Sequence, residues 1–188
     1  MIHIDAEQSC MPFTPLHLGP GMALKAGLGE RFSLLAFGLA QVAMDLEPLM
    51  GLLTDAPILH GITHTYLAAL VIGLMVAVIT PPLGRPVLRR WHQELRYYRL
   101  DWLVQSERWT PAPLLLGALS GTLSHVALDS LMHADLQPLA PWSAANSWLG
   151  VIPLSALFWG CVLSGGVGAL GWIVQRWAIQ RHSSRAVK

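Results

Sequence analysis

Apolar residues run almost without interruption at three places in the chain. Thr65 to Leu83 carries no charge, Pro113 to Leu131 carries only Asp129, and Val151 to Val174 carries none. A helix needs about 20 mostly apolar residues to cross the hydrocarbon core of a bilayer, so each stretch predicts a spanning helix. Gly160, Gly165, Gly168 and Gly171 in the last stretch suit close helix–helix packing. A fourth stretch, Phe32 to Leu53, is apolar but holds Asp45 and Glu47. A fifth, Leu18 to Leu28, is short and glycine-rich, and Gly29-Glu30-Arg31 after it reads as a turn. Leu18 to Leu53 is therefore read as a tight helical hairpin with a short first arm. The alternative for Leu18–Leu28 is a helix lying in the membrane interface. The predicted fold class is all-α: a polytopic helical membrane protein of about five membrane segments.

The placement of positive charge orients these segments, because Lys and Arg concentrate in short cytoplasmic loops. Six arginines lie between Arg85 and Arg108. Arg176, Arg181, Arg185 and Lys188 mark the tail, and Lys25 and Arg31 flank the Gly29 turn. Residues 1–16, 54–62 and 134–150 contain neither Lys nor Arg. An N-out, C-in arrangement of five segments satisfies the whole pattern. It divides the chain into an extracytoplasmic leader (1–16), one membrane-embedded helical domain (17–175) and a basic cytoplasmic tail (176–188). Within the domain, residues 84–111 form an arginine-rich cytoplasmic segment. That segment also carries Trp91, Tyr97, Tyr98, Trp102 and Trp109, which predicts an interfacial helix with rings at headgroup level and arginines towards anionic lipid. The leader lacks the basic start and long apolar core of a signal peptide, and Met11 is an alternative start.

Composition agrees. Of 188 residues, 53% are hydrophobic and 12% charged, where a soluble domain carries about 25% charged residues. The formal net charge of +1 gives no general attraction for nucleic acid, and none is expected as a partner. Cys10 and Cys161 are far apart in unlike settings and predict no disulfide framework.

Against this apolar background, His17, Asp45, Glu47, His60, His64, His125, Asp129 and His133 stand out. Ionisable groups within a membrane are costly and mark function by default. His60 and His64 are four residues apart, as are His125 and Asp129, and His133 continues the second row. Residues so spaced share one face of a helix. A His/His or His/Asp pair one turn apart can grip a divalent ion, zinc first and manganese or iron as alternatives. Depth points the same way. At about 1.5 Å rise per residue, His17 lies roughly 18 Å above the Gly29 turn and Asp45 roughly 21 Å above Arg31. His125 and Asp129 lie roughly 20–27 Å above Pro111 by the same rise, and His64 sits at the outer end of its span. Polar residues from four segments thus reach one level. His17, Asp45, His64, His125 and Asp129 are the predicted metal ligands. The blander reading of each is a histidine or acid bonded to a neighbouring helix; for His60 and His133 it is a solvated loop residue, and for His92 and His182 a surface position.

On these residues the chain resembles the YdjM-like family of inner-membrane-associated metal-dependent hydrolases, formerly a domain of unknown function. The matching segments are Thr14-Pro15-Leu16-His17, Met44-Asp45-Leu46-Glu47-Pro48, His60-Gly61-Ile62-Thr63-His64-Thr65 and Ser124-His125-Val126-Ala127-Leu128-Asp129, with Leu139-Ala140-Pro141-Trp142 downstream. They span Met11 to about Trp142. His60 stands where the family usually has Arg, displacing its first histidine by one residue, and Ala43 and Met44 replace a small/Pro pair. The resemblance implies a bacterial inner-membrane protein with metal-dependent hydrolytic activity. A more remote likeness to zinc-dependent phospholipase C and P1-type nucleases implies phosphoester chemistry.

The expected function is hydrolysis of a lipid or lipid-linked phosphoester by metal-activated water, at a site facing the outer leaflet. Glu47 or His60 is the expected general base or ligand-orienting group, and Thr63 the expected hydrogen-bonding partner of substrate. Trp142 and Trp148 would hold an acyl chain or belong to the interfacial aromatic belt. The alternatives are a metal-ion or proton transporter and a non-enzymatic metal- or haem-binding membrane protein. The lipid bilayer is the expected partner, and the glycine-rich last span permits a homo-oligomer.

Overall fold

The described residues of the computed structural model, 14–104 and 108–186, contain six α-helices. They are α1 (Leu18–Leu28), α2 (Leu34–Met44), α3 (Leu46–Leu53), α4 (Tyr66–Tyr97), α5 (Pro111–Ser130) and α6 (Leu154–Ala186). No strand occurs among the described residues. Four stretches are long and apolar enough to cross a membrane: 34–53, 66–97, 111–130 and 154–181. The first joins α2 to α3 across Asp45. With 11 residues, α1 is the short arm of the hairpin. The protein is thus a helical membrane protein, with α1 as its fifth and shortest segment. The outer surface is what lipid requires. Val78, Val167 and Leu170 lie open on α4 and α6, an apolar exposure that water would penalise.

Helix starts are written locally. The Ser33 hydroxyl accepts the Ala36 N–H to cap α2, the Thr65 hydroxyl accepts that of Ala68 to cap α4, and Pro111 opens α5. Between α1 and α2 the chain reverses at Gly29, whose φ of 58° a side chain would resist.

Small residues then set the packing. A Cβ on Gly117 would fall 2.2 Å from the Ser33 carbonyl oxygen, and one on Gly121 2.7 Å from the Ala40 Cβ. Helices α2 and α5 therefore run side by side, in the same direction, at backbone contact. Likewise Gly19 meets Cys161 and Gly168 meets Ala23, laying α1 along α6. Such contact replaces the hydrophobic driving force that lipid removes. Helix α4 runs against α5, with Gly73 at Leu119 and Gly84 at Trp109. Ala36, Ala40, Val76, Ala77, Leu114 and Ala118 fill the space between α2, α4 and α5.

The interfacial stretch departs from expectation in one respect. Residues 85–97 do not form a separate helix but continue α4 through Pro81, Pro82 and Pro86. Each proline removes one helix N–H, and membrane helices tolerate this where side chains and neighbours satisfy the freed groups. The Thr80 hydroxyl beside them donates to the Val76 carbonyl at 2.6 Å.

The two ends of the bundle differ. At one end the Gly29 turn, the arginine-rich half of α4 and Arg176 meet. Arg108 pairs with Glu30 at 2.7 Å, and Arg176 donates to the Val104 carbonyl at 2.7 Å. Lys25, which precedes the turn, is buried and donates to the Phe32 carbonyl at 2.9 Å. The opposite end holds the predicted site. There the 131–153 loop folds over the helix ends: the Tyr66 N–H donates to the Pro138 carbonyl at 2.9 Å, and Asn146 Nδ2 to the Ser130 carbonyl at 2.9 Å.

Candidate metal centre

Each of the unusual polar residues is delivered by a break or an end in a helix. His17 closes the 3-10 turn that enters α1. Asp45 sits at the interruption between α2 and α3, and Glu47 lies in the first turn of α3. The 3-10 turn Ile62–His64 precedes α4 and carries Thr63 and His64. His125 and Asp129 occupy successive turns at the end of α5, and the His133 N–H donates to the Asp129 carbonyl as the chain leaves the helix.

Asp129 is the centre of the group. Its Oδ2 lies 3.1 Å from His125 Nε2 and 3.5 Å from His64 Nε2, and its Oδ1 lies 3.8 Å from His17 Nε2. Asp45 Oδ1 approaches the same His125 Nε2 at 3.5 Å from the half-exposed side. All five predicted ligands therefore meet. The imidazole rings form a continuous row: His17 to His125 at 5.1 Å between centroids, His125 to His64 at 5.3 Å, and His64 to His60 at 5.0 Å. His64 and His125 are fully buried, and His17 and Asp129 nearly so.

Buried polar atoms are almost always hydrogen-bonded. Here His64 Nε2, His125 Nε2 and His17 Nδ1 have no hydrogen-bond partner. The first two nevertheless lie close to one carboxylate oxygen, Asp129 Oδ2. Two imidazole nitrogens without partners, turned on one carboxylate, with N and O donors only, form a set that fits a borderline divalent cation such as zinc. One ligand atom each from His17, His125 and Asp129 lies within 4.8 Å of the others, and the same holds for His60, His64 and Asp129.

The opposite ring nitrogens are engaged. His125 Nδ1 lies 2.6 Å from Gln41 Oε1, and Gln41 Nε2 in turn donates to the Gly121 carbonyl at 3.2 Å. That second bond fixes the amide, so Oε1 is the acceptor and Nδ1 carries the proton. His125 Nε2 is then left with a lone pair facing Asp129. His64 Nδ1 lies 3.5 Å from Glu47 Oε2 and 3.1 Å from the Thr63 hydroxyl. The same Glu47 oxygen accepts the Thr63 N–H at 3.1 Å and a short bond from the Thr63 hydroxyl. Carboxylate or amide partners on the far nitrogen are how metal-binding histidines are oriented. Burial pushes the His64 imidazole down to about 4, against the opposing pull of the Asp129 carboxylate. Its imidazole is therefore neutral at pH 7, the form that ligates.

His60 and His133, which the sequence leaves equally open to a solvated reading, belong to the row. Their rings lie 3.9 Å apart, and His60 is buried. Asp135 holds His60 Nδ1 at 3.0 Å and also accepts the Leu59 and His60 backbone N–H groups. Burial alone would raise the Asp135 carboxyl, but these hydrogen bonds and the His60 ring hold it below its ordinary value. Burial and His60 push His133 down as well. Sequence reasoning passed over Asp135 and Gln41. For Gln41 a signal existed, a lone amide within an apolar stretch. Asp135 sits in a polar loop where acids are common.

Trp142 is exposed, as an interfacial residue would be. His3 and Cys10 lie outside the described residues, as do the side chain of His182 and most of the 1–16 leader.

The family described as YdjM inner membrane protein matches residues 21–186. The match begins beyond His17 and takes in every other residue of the cluster. No curated protein and no solved structure matches the chain.

Proposed function

The chain belongs to the YdjM inner membrane protein family, and from that premise we propose that it is a membrane-embedded, metal-dependent hydrolase acting on a lipid or lipid-linked phosphoester. The observation that supports this most is the pair of buried His64 and His125 Nε2 atoms gathered on one carboxylate oxygen, 3.5 and 3.1 Å from Asp129 Oδ2. His17, His64, His125 and Asp129 would hold a divalent ion, zinc by preference, with Asp45 completing the set from the open side. When bound, such an ion supplies Lewis acidity and lets water act as a nucleophile near neutral pH.

The chain's own groups do the rest. Gln41 keeps the His125 proton on Nδ1. Glu47 and Thr63 hold His64 in place; with one carboxylate oxygen already accepting two bonds from Thr63, Glu47 serves as an orienting group. Asp45, one-third exposed, closes the set on its open side, where water would enter. The site would face the extracytoplasmic leaflet, because the opposite end carries the arginines. A carboxylate lying between His64 and His125 speaks against a porphyrin there.

Metal analysis of the detergent-purified chain, beside His64→Ala and Asp129→Ala, tests the reading, followed by metal-dependent phosphate release from a phospholipid panel. A metal-free wild-type protein, or a metal content that neither substitution lowers, would overturn it.

A further inference from the structure

A second group of ligand-type side chains lies beside the first, outside the set just described. We propose that His60, His133 and Asp135 form a second divalent-cation site, adjoining the buried one and open to a cavity. One ligand atom from each lies within 4.8 Å of the other two. They come from two distant places, His60 ahead of the turn before α4 and His133 and Asp135 in the loop beyond the end of α5.

A purely structural account covers only part of this arrangement. Asp135 ties down the 59–60 backbone through the Leu59 and His60 N–H groups at 3.2 and 3.1 Å, which explains an acid at 135. It does not explain why a second imidazole, His133, lies against His60 with 3.9 Å between ring centroids and a 31° tilt. Two imidazoles and a carboxylate with a free oxygen lone pair are a zinc-type donor set. His60 also shares the group with His64 and Asp129, so the second site would border directly on the first.

The two sites differ in access. His64 and His125 are closed off completely. His60 and Asp135 instead line a cavity of about 590 Å³ whose wall also includes Thr63 and the apolar Leu67 and Val71. Three protein ligands with a position left open distinguish catalytic from structural sites. The second site would therefore leave room for an oxygen ligand, water or phosphate, with the apolar wall of the cavity beside it. This inference extends the proposed function but stands or falls separately.

The test is zinc stoichiometry on the detergent-purified full chain after equilibrium dialysis, for wild type, His133→Phe, Asp135→Asn and His125→Ala. His133→Phe keeps a ring against His60, and Asp135→Asn keeps an oxygen for the loop N–H groups, so both preserve the fold. About two ions per chain are expected in wild type and about one in each variant. A single ion in wild type that His133→Phe and Asp135→Asn retain would overturn this proposal and leave the buried centre standing. A single ion lost in those variants but kept in His125→Ala would support this proposal and overturn the buried centre. No ion in wild type would overturn both. Cobalt substitution gives a second readout, since loss of the open site alone would remove the absorption change that added inorganic phosphate causes.

Discussion

Gln41 Oε1 and His125 Nδ1, 84 residues apart in the chain, meet at 2.6 Å in the fully buried contact between α2 and α5. The amide fixes which nitrogen of His125 is protonated and so which one can ligate. Gln41→Leu is expected to weaken metal affinity by about 10–100-fold, the usual cost of losing such a partner. Gln41→Glu, which keeps an acceptor oxygen, should recover most of it. Competition with a chromogenic chelator measures both, and equal affinity in Gln41→Leu and wild type would count against the role.

Glu47 and Thr63 make a parallel case at His64. If Glu47 orients His64, Glu47→Gln should lower metal affinity by about 10–100-fold while leaving the turnover of the fully loaded protein near wild type. If it is the general base, the reverse split would appear, with affinity kept and turnover lost. Thr63→Val should follow Glu47→Gln in affinity, because it removes the hydroxyl that touches both Glu47 and His64.

Gly117 offers a prediction about stability. The Cβ of an alanine there would lie 2.2 Å from a backbone oxygen of α2, which no side-chain rotation relieves. Gly117→Ala is expected to cost about 1–3 kcal/mol, read as a lower unfolding temperature in detergent. Gly160→Ala, where nothing lies within 4 Å, is the matched control and should leave it unchanged.

Orientation is testable without any ligand. Single cysteines in a Cys10→Ser, Cys161→Ser background, one at Ser143 and one at Arg99, should label from opposite faces of the membrane. Ser143→Cys is expected to react with an impermeant maleimide in intact cells and Arg99→Cys only after permeabilisation. The opposite pattern would place the centre on the cytoplasmic side.

Much of this was legible in the sequence for a simple reason. His17, Asp45, His64, His125 and Asp129 are ionisable residues in or beside apolar stretches, and the fixed rise of a helix converts their positions into depth. Depth alone brought together side chains that the fold then places around Asp129. What could not be read depends on loops, which have no period. Asp135 reaches His60 only because the 131–153 loop folds back over the helix ends, and His133 joins the row for the same reason. The length of α4 was not legible either, since the apolar stretch that predicts it ends at Leu83 while the helix runs on through Pro86 to Tyr97. Prolines usually break a helix interior, yet α4 continues through Pro81, Pro82 and Pro86.

One carboxylate is held in common by imidazoles rooted in three distant parts of the chain. The proposed centre should consequently behave as an all-or-nothing device rather than a sum of parts. Once Asp129 is gone, a further loss of His17 or His64 should add little, and double substitutions should cost far less than their separate effects combined. A scan that scored each position independently would credit the same loss several times over.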